Sequence, residues 1–129
     1  MTKGRPVVAV VDDDPRLLES LEDLLESAGY AARSFSSARS LLINGLSGLD
    51  VLITDIGMPG MDGFELCDLV KKVRPDLPVF LITGRHEIAD ADRAQGVSGC
   101  FHKPFDAKVM LAAIGNALRK SKNGDGHES

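Results

Sequence analysis

The 129-residue sequence predicts an α/β fold, a doubly wound, five-stranded parallel sheet with helices on both faces. Two observations predict it. Five short runs with strand character, Val7–Val11, Tyr30–Phe35, Val51–Thr54, Pro78–Thr83 and Gly99–His102, alternate with segments of helical periodicity. The strongest runs are continuously apolar rather than alternating, the pattern of strands covered on both faces. Right-handed crossovers between parallel strands then distribute the helices over the two sides.

Met1 to Pro6 reads as a polar leader, and VVAVV at 7–11 as the first strand. Asp14 before Pro15 is an N-cap with proline at N1. Leu17, Leu18, Leu21, Leu24, Leu25 and Ala28 follow at helical spacing, and Gly29 is placed to be the C′ residue. Tyr30–Phe35 is a weaker second strand. Ser37 caps a short helix through Leu41, Leu42 and Ile43 that ends at Asn44-Gly45. Val51–Thr54 is the third strand, with Asp55 at its end and a cluster of turn formers, Gly57, Pro59, Gly60 and Gly63, directly after. The next helix presents Leu66, Leu69, Val70 and Val73 as its apolar face and stops at Arg74-Pro75. Pro78–Thr83 is a fourth buried strand, Glu87–Gln95 a short helix anchored by Ile88, and Gly99–His102 a fifth strand. Asp106 caps a last helix with Val109, Met110, Ala113, Ile114 and Ala117 on one face. Residues 120–129, KSKNGDGHES, have nothing to bury and are expected to form a disordered tail, which leaves 1–119 as one domain.

Composition narrows the function classes. Fifteen basic against nineteen acidic residues give a net charge of −4, which argues against direct binding to nucleic acid. With no Trp, five Phe and one Tyr, the core must be aliphatic. Cys67 and Cys100 lie far apart with no CxxC spacing, and no run is long enough to cross a bilayer. A cytoplasmic protein with both thiols in the core is expected. His86, His102 and His127 form no ligand constellation.

Ligands of doubly wound sheets bind at the carboxyl ends of the strands. Asp12 and Asp13 end the first strand, Asp55 the third and Thr83 the fourth, and Lys103 follows the fifth. Taken singly, each has an ordinary explanation: acids at a helix start, a turn aspartate, a strand-end threonine, a surface lysine. Their convergence calls for chemistry. Clustered carboxylates repel, and a hard divalent cation such as Mg²⁺ relieves them with oxygen ligands while keeping several waters. An ionised aspartate beside such a metal can attack phosphorus and form an aspartyl phosphate, with the lysine ammonium and the threonine hydroxyl facing phosphoryl oxygens.

These residues resemble the receiver domain of two-component response regulators. The resemblance rests on Asp12-Asp13 after strand one, Asp55 followed by Met58-Pro59 and Gly63, Thr83 after strand four, and Phe101-x-Lys103-Pro104-Phe105, and it covers about Val7 to Leu118. It implies a flavodoxin-like sheet of order 2-1-3-4-5. It further implies phosphorylation of Asp55 by a histidine kinase or histidine phosphotransfer protein, in a domain that catalyses its own phosphorylation and dephosphorylation without turning over a separate substrate. Mg²⁺ would be held by Asp13, Asp55 and the Gly57 carbonyl, with Asp12 acting mainly through water. Thr83 and Phe101 would be the switch pair, Lys103-Pro104 would be cis, and a homodimer would use the face of the fourth and fifth predicted helices. Two departures stand out: Gly57 replaces a larger side chain often found two places after the acceptor, and Lys103 follows Thr83 after a shorter interval than the family usually has.

Three other readings compete. The chain can be the N-terminal receiver of a DNA-binding transcription regulator. An aspartate-nucleophile phosphatase resembles a D-x-D pattern, but here the second acid is Gly57. A flavin or nucleotide module needs a glycine-rich phosphate cradle after strand one, where this chain is acidic.

Overall fold

The computed structural model describes residues 4–84 and 98–127, the last seven of these as backbone alone. In chain order the elements are β1 (Val7–Val11), α1 (Pro15–Ser27), β2 (Ala31–Phe35), α2 (Ala38–Asn44), β3 (Val51–Asp55), α3 (Gly63–Val73), β4 (Val79–Thr83), β5 (Gly99–His102) and α4 (Ala107–His127). The five strands form one parallel sheet in the order β2-β1-β3-β4-β5, with Val8 beside Val51, Leu52 beside Val79 and Phe80 beside Gly99. The helix expected over Glu87–Gln95, and His86 with it, lie outside the described residues, as does the His127 side chain.

Because successive side chains of a strand point to opposite faces, the sheet separates two cores. Ala9, Val11, Leu52, Val79 and Leu81 pack against Leu41 of α2 and Phe64, Leu66, Cys67 and Val70 of α3. Val8, Val10, Val51, Ile53, Phe80 and Ile82 pack on the other side against Leu18, Leu21 and Leu25 of α1 and Met110 and Ile114 of α4. Each fully buried Leu or Ile stabilises the fold by roughly 1.5–3 kcal/mol.

The helix ends follow local chemistry. The Asp14 carboxylate accepts from the Arg16 N–H at 3.0 Å, with Pro15 at N1. At the other end Gly29 adopts φ +94°, so that its N–H reaches the Glu26 carbonyl at 3.1 Å and the Tyr30 N–H the Leu25 carbonyl at 3.0 Å, a Schellman closure. Ser37 caps α2 through the Ser40 N–H at 3.1 Å. Asp62 and Glu65 form a reciprocal capping box on α3, at 2.9 and 3.0 Å. The Asp106 carboxylate accepts from the Lys108 N–H at 2.8 Å.

The structure corrects four expectations. α3 buries Phe64, Leu66, Cys67 and Val70 and leaves Leu69 and Val73 exposed, because the face that packs on the sheet is the one carrying Gly63, which lies against the Asp55 backbone, with Leu66, Cys67 and Val70 at i+3, i+4 and i+7 from it. α4 likewise exposes Val109 and packs Leu111 and Leu118 instead. Cys100 is exposed, since on β5 it points away from the inward Phe101. The last helix runs to His127, past Lys120 where a disordered tail is expected; extending a helix already packed at Met110 and Ile114 needs no new nucleus.

Candidate functional site

The expected residues meet at one edge of the sheet. Asp12 leaves β1 with its N–H on the Phe35 carbonyl at 3.1 Å, and its side chain is fully buried. Its Oδ1 accepts from the Asp14 N–H at 2.9 Å. Asp55, the last residue of β3, is 6% exposed, and the Thr54 hydroxyl donates to its backbone carbonyl at 3.1 Å. Lys103 donates its N–H to the Thr83 carbonyl at 2.9 Å, which carries the β4–β5 pairing one residue further and fixes where its side chain departs. Its Nζ lies 3.4 Å from Asp12 Oδ2 and 3.4 Å from Asp55 Oδ1. The Lys103–Pro104 bond is cis.

Burial is the main reason that both Asp12 and Asp55 are pushed above the usual carboxylate range, and the charge of Asp12 adds to the effect on Asp55. The Asp14 N–H and Lys103 oppose the rise at Asp12, and Lys103 alone opposes it at Asp55. Desolvation pulls the Lys103 amine down, yet the two carboxylates outweigh it and hold the amine above its ordinary value. One amine therefore serves two buried acids.

The residues fit a hard divalent cation. Asp12, Asp13 and Asp55 each offer a carboxylate oxygen, all within 4.8 Å of one another, and Asp13 is exposed, so the cluster opens to water. Among the described residues, Asp12 Oδ2 is the one buried side-chain polar atom with no hydrogen bond; the Lys103 amine faces it only as an ion pair. Gly57 is exposed in the turn that follows Asp55, between buried Ile56 and Met58.

Thr83 is buried at the end of β4, its hydroxyl donating to the Gly84 carbonyl at 2.8 Å. Phe101 is 9% exposed and stacks on Phe80, with ring centroids 5.5 Å apart. Phe105 lies against it at 6.5 Å.

Residues 8–115 match the family model described as response regulator receiver domain. The chain belongs to the receiver domain family. Among its relatives, the transcriptional regulatory protein GlrR of Escherichia coli is 38% identical over 115 residues, which cover 87% of this chain and 26% of GlrR. The transcriptional regulatory protein FixJ of Bradyrhizobium diazoefficiens is 34% identical over 125 residues, covering 94% of this chain and 60% of FixJ. The chain thus spans less than two thirds of these relatives. A receiver domain protein from Clostridium thermocellum superposes with a TM-score of 0.85 at 29% identity, covering 91% of this chain and 97% of that one. A CheY-like receiver from Methanospirillum hungatei shares the fold with a TM-score of 0.88, over 94% of this chain and 99% of that one, at 24% identity.

This receiver also carries supporting residues that were not singled out in the sequence. The capping box was readable as Asp-x-x-Glu before an apolar run. Thr54 gives no such signal, because a buried threonine in a strand reads as a β-former whether or not its hydroxyl has work to do.

Proposed function

We propose that this receiver domain, taken as residues 1–119, accepts a phosphoryl group on Asp55 in a Mg²⁺-dependent reaction. The observation that carries the reading is the pair of buried carboxylates, Asp12 and Asp55, sharing the Lys103 amine at 3.4 Å each, with an Asp13 oxygen close by. Asp13, Asp55 and the Gly57 carbonyl would hold the metal, and Asp12 would act through water. When bound, Mg²⁺ supplies the positive charge that lets neighbouring acids stay ionised and neutralises charge on the phosphoryl oxygens.

Asp55 Oδ attacks phosphorus, an O–P bond forms, and the bond from phosphorus to the donor breaks, its electron pair leaving with the donor. The nucleophile must be ionised, and the Lys103 ammonium favours that state. In the product the ammonium faces a phosphoryl oxygen. The Thr83 hydroxyl leaves the Gly84 carbonyl to meet another oxygen, and Phe101 repacks into the space beside it, which makes these two the switch. The donor is a histidine kinase or histidine phosphotransfer protein, and the setting is cytoplasmic. No helix among the described residues is long and apolar enough to cross a membrane. The domain acts on itself and turns over no separate substrate.

GlrR and FixJ are named as transcriptional regulatory proteins, and this favours a second reading in which the same receiver is the N-terminal part of such a regulator. The phosphoacceptor is the same in both. Incubation with a small-molecule phosphodonor and Mg²⁺ should add the mass of one phosphate, and Asp55→Asn should take up none. Undiminished labelling of the variant would place the acceptor elsewhere.

A further inference from the structure

Gly63, the first residue of α3, touches the backbone of the residue that carries the proposed chemistry. A Cβ built there would lie 2.5 Å from the Asp55 carbonyl oxygen, 2.8 Å from Ile56 Cα and 3.1 Å from the Asp55 carbonyl carbon. These are backbone atoms of β3 and its exit, fixed in turn by the Ile56 N–H on the Ile82 carbonyl at 3.0 Å and by burial of the Ile56 side chain. They have no flexible end that could give way.

The same glycine takes part in a second arrangement. Its N–H donates to the Ile56 carbonyl at 3.0 Å, and the Met58 N–H donates to that carbonyl at 3.1 Å. The Met58 N–H and the Gly57 carbonyl belong to one trans peptide unit and therefore point in opposite directions. With the Met58 N–H drawn in to Ile56, the Gly57 carbonyl is turned outward. One carbonyl, that of Ile56, thus ties the start of α3 to the orientation of the Gly57 peptide.

We infer that Gly63 is a positioning residue for the metal-binding edge: by packing α3 directly on the Asp55–Ile56 backbone and anchoring the Ile56 carbonyl, it sets the Gly57 carbonyl and Asp55 in register with each other. The inference rests on the proposed use of that carbonyl and of Asp55 toward Mg²⁺. A side chain at position 63 must push the helix away from β3, which loosens the Ile56 anchor and lets the Gly57 peptide rotate. Groups that orient metal ligands from behind typically change affinity by 10–100-fold when they are removed.

The test is a titration with MgCl₂ followed by backbone amide signals, at a temperature where each variant is folded. In the unmutated protein Mg²⁺ should shift the Met58 and Gly63 amide signals together with those of Asp12 and Asp13. In Gly63→Ala the Mg²⁺ dissociation constant should rise about tenfold or more. Leu66→Ala removes packing from the same helix without touching the Ile56 carbonyl, and it should keep the unmutated constant although it is less stable. A Gly63→Ala constant within about twofold of the original overturns the inference while leaving the metal site in place. Should Gly63→Ala fail to fold, the unmutated protein decides: Met58 and Gly63 signals that stay still while those of Asp12 and Asp13 shift also overturn it. No Mg²⁺ response anywhere in the unmutated protein removes the proposed function and this inference with it.

Discussion

Replacing Lys103 with methionine tests the electrostatics of the site without touching Asp55, the proposed phosphoacceptor. The substitution keeps most of the side-chain volume and removes the positive charge that Asp12 and Asp55 share. Taking one partner from a buried ion pair costs about 3–5 kcal/mol, because a buried charge is left unpaired. The Lys103 side chain is 36% exposed, so water already screens part of the attraction, and the expected loss falls to about 2 kcal/mol without metal near pH 8. For a chain of this size that corresponds to a drop of about 8 °C in Tm. The pH dependence has a definite sign. Burial, first of all, holds Asp12 and Asp55 above 3.8, so between 3.8 and their raised values the native state binds more protons than the unfolded one. Their contribution to stability is therefore most favourable in acid and declines as pH rises through that window. Lys103 lowers both groups, so its loss raises them further, and the deficit of Lys103→Met should shrink as the pH is brought down toward about 5. Urea unfolding followed by far-ultraviolet circular dichroism measures this directly, since the chain has no Trp. A deficit under about 0.5 kcal/mol, or one that grows toward acid, would refute the argument that a single amine neutralises two buried acids.

Two further predictions concern α3. Leu66→Ala should cost about 2–5 kcal/mol, while Leu69→Ala, at a position 36% exposed, should cost well under 1 kcal/mol; equal losses in urea unfolding would contradict the orientation of the helix. Asp62→Ala removes half of the capping box and should cost about 1 kcal/mol in the same measurement, with Glu65→Ala adding little on top, because both act on one reciprocal pair.

Strand identity was legible because each of the three central strands is dominated by a continuous apolar run, the pattern of a sheet covered on both faces, whereas their order came only with the resemblance to receiver domains. Helix faces were less legible. Leu69 and Val73 keep helical spacing with Leu66, and periodicity alone cannot tell them from the buried set of Phe64, Cys67 and Val70. What separates them is which face of α3 packs on β3, and Gly63 marks that face: it lies against the Asp55 backbone, eight residues earlier in the chain, and buried Leu66, Cys67 and Val70 follow it at i+3, i+4 and i+7. Cys100 was misplaced for a related reason. A four-residue strand that contains Gly99 and His102 has too little pattern to say which of Cys100 and Phe101 faces inward.

The site divides in the same way, as the three consecutive aspartates after β1 show. Asp14 was assigned its cap by Pro15, a local constraint that the sequence states outright. Asp12 and Asp13 are chemically identical neighbours, and no local rule separates them. The separation comes from β2: the Phe35 carbonyl accepts the Asp12 N–H at 3.1 Å and carries the chain one residue further in sheet register. That extra residue turns the Asp12 side chain into the protein beside Lys103 and leaves Asp13 at the surface, where it keeps contact with solvent. In the proposed Mg²⁺ site the exposed Asp13 carboxylate is the one open to an ion that retains several waters. Two identical residues thus come to lie in different surroundings, beside one backbone hydrogen bond to a strand more than twenty positions away.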